Sequence, residues 1–270
     1  MAKQKVVLAF SGGLDTSAII PWLRENRDAE VVAYCADMGN APDAQYLTKW
    51  AEQLGAAEFI FEDLQERFVH DFVYPAVRAG AKYQESYLLG TALGRPLIAE
   101  RLVHFAAKQG ATQVIHGATG KGNDQIRFEN SIAYLAPQLQ IVAPWREWKF
   151  TSRRELVDYL NARGITYHDQ DKLYSEDVNL FHRSCEGGTL ERIELPTSDG
   201  VLKWTKTSDF PAEPLRLAIT FEGGHPWAIN GETLAPHVLL KKLNTIAGDY
   251  GVGVVDIVED RMVGLKSRGV

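Results

Sequence analysis

The chain is short of cysteine, of long apolar runs and of blocks of like charge, and each shortage excludes something. Its two cysteines, Cys35 and Cys185, lie far apart and in no metal-ligand spacing. That count excludes a disulfide framework and a zinc site, and the pair reads as small buried side chains in a reducing compartment. No apolar stretch reaches the roughly 18 residues a membrane helix needs. Met1-Ala2-Lys3-Gln4 enters a strand directly, without a signal-peptide pattern. The expectation is a cytoplasmic protein with no membrane partner. The net charge of −6 comes without a basic stripe interleaved with aromatics, so no nucleic-acid partner is expected either. There is no internal repeat. What remains is an ordinary globular composition, 45% hydrophobic and 24% charged over 270 residues, with room for one large domain or two modest ones.

One stretch organises the rest: Ala9-Phe10-Ser11-Gly12-Gly13-Leu14-Asp15-Thr16-Ser17. It follows Val6-Val7-Leu8, a contiguous apolar run that reads as a buried strand, and it precedes a helical pattern. A strand, a glycine pair, small hydroxyls and a helix start make an anion cradle. The glycines admit close backbone approach, and the helix N-terminus offers unpaired N–H groups. The stretch is neither the Walker loop, which needs G-x-x-x-x-G-K-[ST], nor the dinucleotide fingerprint G-x-G-x-x-G. The competing reading is an ordinary glycine turn before a helix.

Strand patterns at 6–10, 30–36, 58–61, 113–116 and 139–143 alternate with helical ones at 44–54, 64–77, 92–108 and 124–135. That alternation predicts an α/β fold, a doubly wound parallel sheet with ligands beyond the carboxyl ends of its strands. Pro21 falls inside the first helical pattern and predicts a kink or a late helix start. Ala36, at the end of the second strand, is placed beside the glycine stretch. Tyr87 reads equally as a core tyrosine or a ligand, and Arg95 as a phosphate contact.

A second loop, His116-Gly117-Ala118-Thr119-Gly120-Lys121-Gly122-Asn123-Asp124-Gln125-Ile126-Arg127, has three glycines after a strand and a polar cluster opening a helix. Asn123 and Arg127 are four apart and share a face; an amide and a guanidinium together suit a carboxylate. The competing reading is a glycine loop with a capping residue and a solvated arginine. Ser152-Arg153-Arg154-Glu155 reads as a capping box, and the first domain is predicted to end about residue 166. Beyond it, 174–177 and 183–188 read as irregular. Turns at 222–226 and 230–231, a helix at 237–246 and a strand at 253–258 then predict a smaller α+β domain over 167–270. Glu259 closes the last strand and by itself reads as a surface carboxylate.

Ser-Gly-Gly-Leu-Asp-Thr-Ser at 11–17 resembles the PP-loop of ATP pyrophosphatases. With Tyr87-Leu88-Leu89-Gly90-Thr91, Arg95-Pro96, the loop 116–125, the segment 143–148, Asp256-Ile257-Val258-Glu259 and Lys266-Ser267-Arg268-Gly269, the chain resembles argininosuccinate synthase across nearly its whole length, in family order. The resemblance implies an ATP-binding PP-loop domain at 1–166 and a synthetase domain at 167–270. It implies joining of citrulline and aspartate with ATP and Mg²⁺, through citrullyl-AMP, with release of AMP and pyrophosphate. Residues Ala9, Phe10, Ser11, Gly12, Gly13, Leu14, Asp15, Thr16, Ser17, Ala36 and Gly117 would hold ATP, with Arg95 at a phosphate. Thr119, Asn123 and Asp124 would hold aspartate, and Tyr87, Asn123, Arg127, Ser175, Ser184 and Glu259 would hold citrulline. Mg²⁺ would come with ATP, not on protein side chains. The chain departs from the family pattern at Asn40-Ala41-Pro42-Asp43 and at Asp260. The family continues past the equivalent of Val270 with a citrulline-binding tyrosine and an oligomerisation helix. The expectation is therefore a ligase or a catalytically weak nucleotide-binding module, and a homo-oligomer smaller than the family tetramer.

Overall fold

The protein is described by a computed structural model covering residues 3–120, 122–167, 173–197, 200–260, 262, 264 and 266–270. It divides into two compact units. The first comprises 1–37, 41–63 and 95–171, and the second 38–40, 64–94 and 172–270.

In the first unit β1 (Gln4–Ala9), β2 (Ala29–Asp37), β3 (Glu58–Asp63), β4 (Gln113–Ile115) and β5 (Gln140–Val142) form one sheet in the order β3-β2-β1-β4-β5. Every pairing in it is parallel. The central strand is apolar without alternation because both its faces are covered: Val6 and Leu8 join one core cluster, while Val7 joins the other. β2 divides the same way, Val31, Ala33 and Cys35 against Val32 and Tyr34. Truncating a residue such as the fully buried Leu8 to alanine would cost about 2–5 kcal/mol. Reversal of strand order beside β1 creates the crevice in which such sheets bind ligands.

The helices follow from local signals. α1 (Leu14–Arg27) begins directly after Gly13, so the late start read from Pro21 does not occur. The proline sits within a continuous helix, where it costs the hydrogen bond to the carbonyl four residues back. α2 (Ala44–Leu54) is capped by Asp43, whose side chain accepts from the Tyr46 amide, and it ends at Gly55 with φ +87°. The helical pattern at 64–77 is instead three short pieces: α3 (Gln65–Arg67), a π-helical stretch (Phe68–Val73) and α4 (Tyr74–Arg78). α5 (Gly90–Gln109), α6 (Asp124–Leu135) and α7 (Arg153–Asn161) complete the set in this part of the sequence. Ser152 caps α7 by accepting from the Glu155 amide, and Glu155 reaches back to the amide of Thr151.

The second unit is α+β. β6 (Ser175–Val178) and β7 (Arg183–Glu186) pair antiparallel, although 174–177 and 183–188 read as irregular. Both faces of that hairpin carry polar residues, so it has no alternating apolar signal. One face is nevertheless fixed by Arg183 against Glu176 at 2.6 Å and by the buried Cys185. β8 (Ile219–Glu222), β9 (His225–Ile229) and β10 (Glu232–Thr233) make a three-stranded meander, followed by α8 (Pro236–Asp249), with proline at its first turn. β11 (Ile257–Asp260) and β12 (Lys266–Gly269) join β7 and β6 in the order β11-β12-β7-β6. β11 starts later than the apolar run at 253–258 indicates, because its ladder with β12 begins at Ile257, opposite Gly269.

Candidate functional site

The loop between β1 and α1 is built from its own hydroxyls. Ser11 Oγ accepts from the Gly13 amide at 3.3 Å and lies 3.2 Å from Thr16 Oγ1, which donates to the Gly13 carbonyl at 3.2 Å. Gly12 has φ +75°, and a Cβ there would come within 2.6 Å of Leu47, so both conformation and space require glycine. Gly13 is the N-cap of α1, and among the described residues no side chain caps it, so the first amides of the helix remain available to an anion. Phe10 is buried, with its amide on the Tyr34 carbonyl of β2 at 2.7 Å, which sets the end of β2 and Ala36 beside the loop. Ser17 is fully buried: its hydroxyl donates to the Gly12 carbonyl at 3.4 Å and accepts from Trp50 Nε1 at 2.8 Å. Its side chain shapes the loop from behind. Trp50 was not singled out in the sequence, yet a buried indole N–H needs a partner, and that requirement is the signal. Burial raises the Asp15 carboxyl above its ordinary range, with Arg153 opposing.

The second glycine loop sits in the same unit. Gly117 lets β4's exit pack on α1, since a Cβ there would lie 3.1 Å from Thr16 Cγ2. Thr119 is exposed, and Lys121 lies outside the described residues. At the start of α6, Asp124 is held by two arginines: Arg95 Nε donates to Oδ2 and Arg127 Nη1 to Oδ1, each at 2.7 Å. Burial acts to raise the Asp124 carboxyl, but the charges and hydrogen bonds of Arg95 and Arg127 outweigh it and hold it below the usual carboxylate range. Asn123 precedes Asp124 as the N-cap and its carbonyl accepts from the Arg127 amide at 3.1 Å. Arg95, read as a phosphate contact, thus has Asp124 as its partner. The sequence spacing of 29 residues gave no sign of that pairing.

In the second unit the β-sheet register gathers a polar face. Ser175 pairs with Glu186, Asp177 with Ser184, Gly269 with Glu186 and Glu259 with Ser267. With side chains alternating along each strand, Ser175, Asp177, Ser184, Glu186, Ser267 and Glu259 share one face. Tyr87 joins this group: its hydroxyl donates to Ser184 Oγ at 2.7 Å, and its ring packs edge-on to His182 with centroids 5.4 Å apart. Burial chiefly, then the charges of Glu259, Asp177 and Glu186, push the phenol up to about 12, so it stays protonated and donates. Tyr83, missed in the sequence, accepts from the Asp260 amide at 2.9 Å through its hydroxyl and ties β11 to the Tyr83–Tyr87 bridge. The face offers hydroxyls and carboxylates, acceptors suited to an ammonium or a urea-type N–H donor.

Comparison with known proteins places the chain in a family. Residues 5–166 match the family described as Arginosuccinate synthase N-terminal HUP domain, and residues 174–270 the Arginosuccinate synthase C-terminal domain. The chain is 51% identical over 269 residues to the argininosuccinate synthase of Desulfitobacterium hafniense (strain DSM 10664 / DCB-2), covering 99% of this chain and 67% of that protein. Identity and both coverages are the same for the enzyme of Carboxydothermus hydrogenoformans. The enzyme of Shewanella putrefaciens is 51% identical over 272 residues, covering 98% of this chain and 66% of that relative. The chain thus spans about two thirds of the length of the relatives it matches. On both the matched domains and the identity, this chain belongs to the argininosuccinate synthase family.

Proposed function

We propose that this protein joins citrulline to aspartate at the expense of ATP, giving argininosuccinate, AMP and pyrophosphate. In the first step the ureido oxygen of citrulline bonds to the α-phosphorus and the bond to the β-phosphate oxygen breaks, releasing pyrophosphate. In the second, the amine of aspartate attacks the activated carbon and AMP leaves with the bonding electron pair. A ureido carbon is a poor electrophile until its oxygen becomes part of a good leaving group, so the task is positioning and charge stabilisation.

Residues Ala9–Ser17, with Ala36 and Gly117, are assigned to ATP, the amides at the start of α1 carrying the phosphates. Arg95 is assigned a phosphate as well as Asp124, since a guanidinium has five N–H donors. Mg²⁺ would neutralise phosphate charge. It would come with ATP, its remaining ligands phosphate oxygens and water, and no protein side chain is assigned to it. Asp124, with Thr119 and Asn123, is assigned to aspartate. A carboxylate has about four lone-pair sites, so Asp124 can receive an ammonium while keeping both arginines. Citrulline is assigned to Tyr87, Asn123, Arg127, Ser175, Ser184 and Glu259. Residues 1–166 would serve as the nucleotide domain and 167–270 as the synthetase domain.

The observation that carries this reading is the Arg95–Asp124–Arg127 cluster at the start of α6, because nucleotide binding alone does not call for an ionised carboxylate clamped there. The test is AMP release from ATP–Mg²⁺ with citrulline and aspartate supplied separately and together. Release that requires both is the expected result. ATP binding by calorimetry without release under any combination would instead favour a nucleotide-binding module.

A further inference from the structure

His116 is the last residue before the second loop and takes no part in the assignments above. It is fully buried, its amide extends the sheet by donating to the Val142 carbonyl at 3.2 Å, and its ring stacks on Phe128 of α6 at 5.5 Å and 8°. Nε2 lies 3.2 Å from Oε1 of Glu129, the next residue of α6. The same carboxylate oxygen accepts from Arg146 Nη2 at 2.5 Å, and Arg146 also donates to Gln125 Oε1 at 3.3 Å. A carboxylate only accepts, so the ring must donate from Nε2. Burial lowers the tendency of the ring to charge, against the pull of Glu129, which leaves Nδ1 as an acceptor with no partner among the described atoms. The other side of the loop is also clamped. Gly120 packs on the Trp145 ring, which a Cβ there would meet at 2.5 Å.

We propose that the Arg146–Glu129–His116 chain is a positioning device that fixes the exit of β4 to α6, and thereby sets Gly117 and Thr119 for their ligands. His116 is thus a positioning residue, acting through the loop rather than on reacting atoms. For catalysis this rests on the ligase reading; the fixing of the loop does not. The two amide variants separate the roles of the ring nitrogens, because the glutamine amide reaches where Nε2 lies and the asparagine amide where Nδ1 lies.

The experiment compares His116→Gln, His116→Asn and Glu129→Ala with the parent chain. Backbone amide NMR signals of Gly117 and Gly120 are read without ligand, and KM for aspartate is read in the AMP-release assay. Expected for His116→Gln are parent-like signals and a KM within threefold of the parent. Expected for His116→Asn and Glu129→Ala are shifted or broadened Gly117 and Gly120 signals, a KM raised at least tenfold and kcat within threefold. Because Glu129 is partly exposed, its variant decides the matter even if His116→Asn does not fold. Unchanged glycine signals in Glu129→Ala, or a fall in kcat with KM unmoved, would overturn the proposal. If the parent chain releases no AMP, the ligase reading fails while the glycine signals still decide whether the device exists.

Discussion

The cluster around Asp124 and the face beneath Tyr87 reach opposite electrostatic states by opposite means. At Asp124 one carboxylate has two guanidinium partners, each at 2.7 Å, so its charge is secured before any ligand arrives. At Tyr87 burial first, and then three carboxylates, Glu259, Asp177 and Glu186, push one phenol toward the protonated form. The first is a pre-paired site that presents an ionised acceptor in fixed geometry; the second is an acidic surface whose neutral donor is Tyr87.

The largest expected effect breaks the first half of that contrast. Asp124→Ala should reduce aspartate-dependent AMP release by more than a hundredfold while leaving ATP affinity by calorimetry within threefold; normal turnover would remove Asp124 from aspartate binding. Next, Gly12→Ala forces φ +75° on a residue with a Cβ that meets Leu47 at 2.6 Å. The conformation alone costs about 1–2 kcal/mol, so a loss of roughly tenfold or more in ATP affinity is expected by calorimetry. An unchanged dissociation constant would mean that the loop binds nothing in this conformation.

The second half of the contrast is sharpened by Tyr87→Phe, which removes the hydrogen bond to Ser184 and leaves the ring. A net loss of about 0.5–1.5 kcal/mol predicts a rise of roughly two- to tenfold in citrulline KM, with ATP affinity unchanged. A steady-state comparison decides it. The smallest effect is on pH. The Asp124 carboxyl is depressed in the folded protein, so its contribution to stability is complete above the ordinary carboxylate range and is lost as pH falls through its folded value. Urea unfolding of the parent chain should therefore show a steeper loss of stability below about pH 4 than unfolding of Asp124→Asn. Parallel acid limbs would show that the arginines do not hold that carboxyl down.

How much was legible in the sequence differed between the two regions for a physical reason. β1 and β2 are covered on both faces, and their unbroken runs of Val, Leu and Ala announce that; α2 and α6 lie at the residues their apolar spacing indicates. Gly12 and the capping box at Ser152 are local signals, readable because each acts within a few residues. The hairpin of β6 and β7 was not legible, since Ser175, Asp177, Ser184 and Glu186 give it a polar face where an apolar one would be counted. The pairings Arg95–Asp124, Trp50–Ser17 and Tyr87–Ser184 span 29, 33 and 97 residues, and nothing in local spacing encodes such separations. The π-helical stretch at Phe68–Val73 was likewise missed, because one extra residue in a turn scarcely alters an apolar pattern.

Attack of citrulline's ureido oxygen on the α-phosphate is the step on which the proposed function turns. It is tested most directly by supplying citrulline labelled with ¹⁸O at that oxygen, with ATP–Mg²⁺ and aspartate, and weighing the AMP formed. One ¹⁸O in the phosphate of each AMP released with argininosuccinate is the expected result. AMP that carries no label, with the ¹⁸O still in unreacted citrulline, would contradict it.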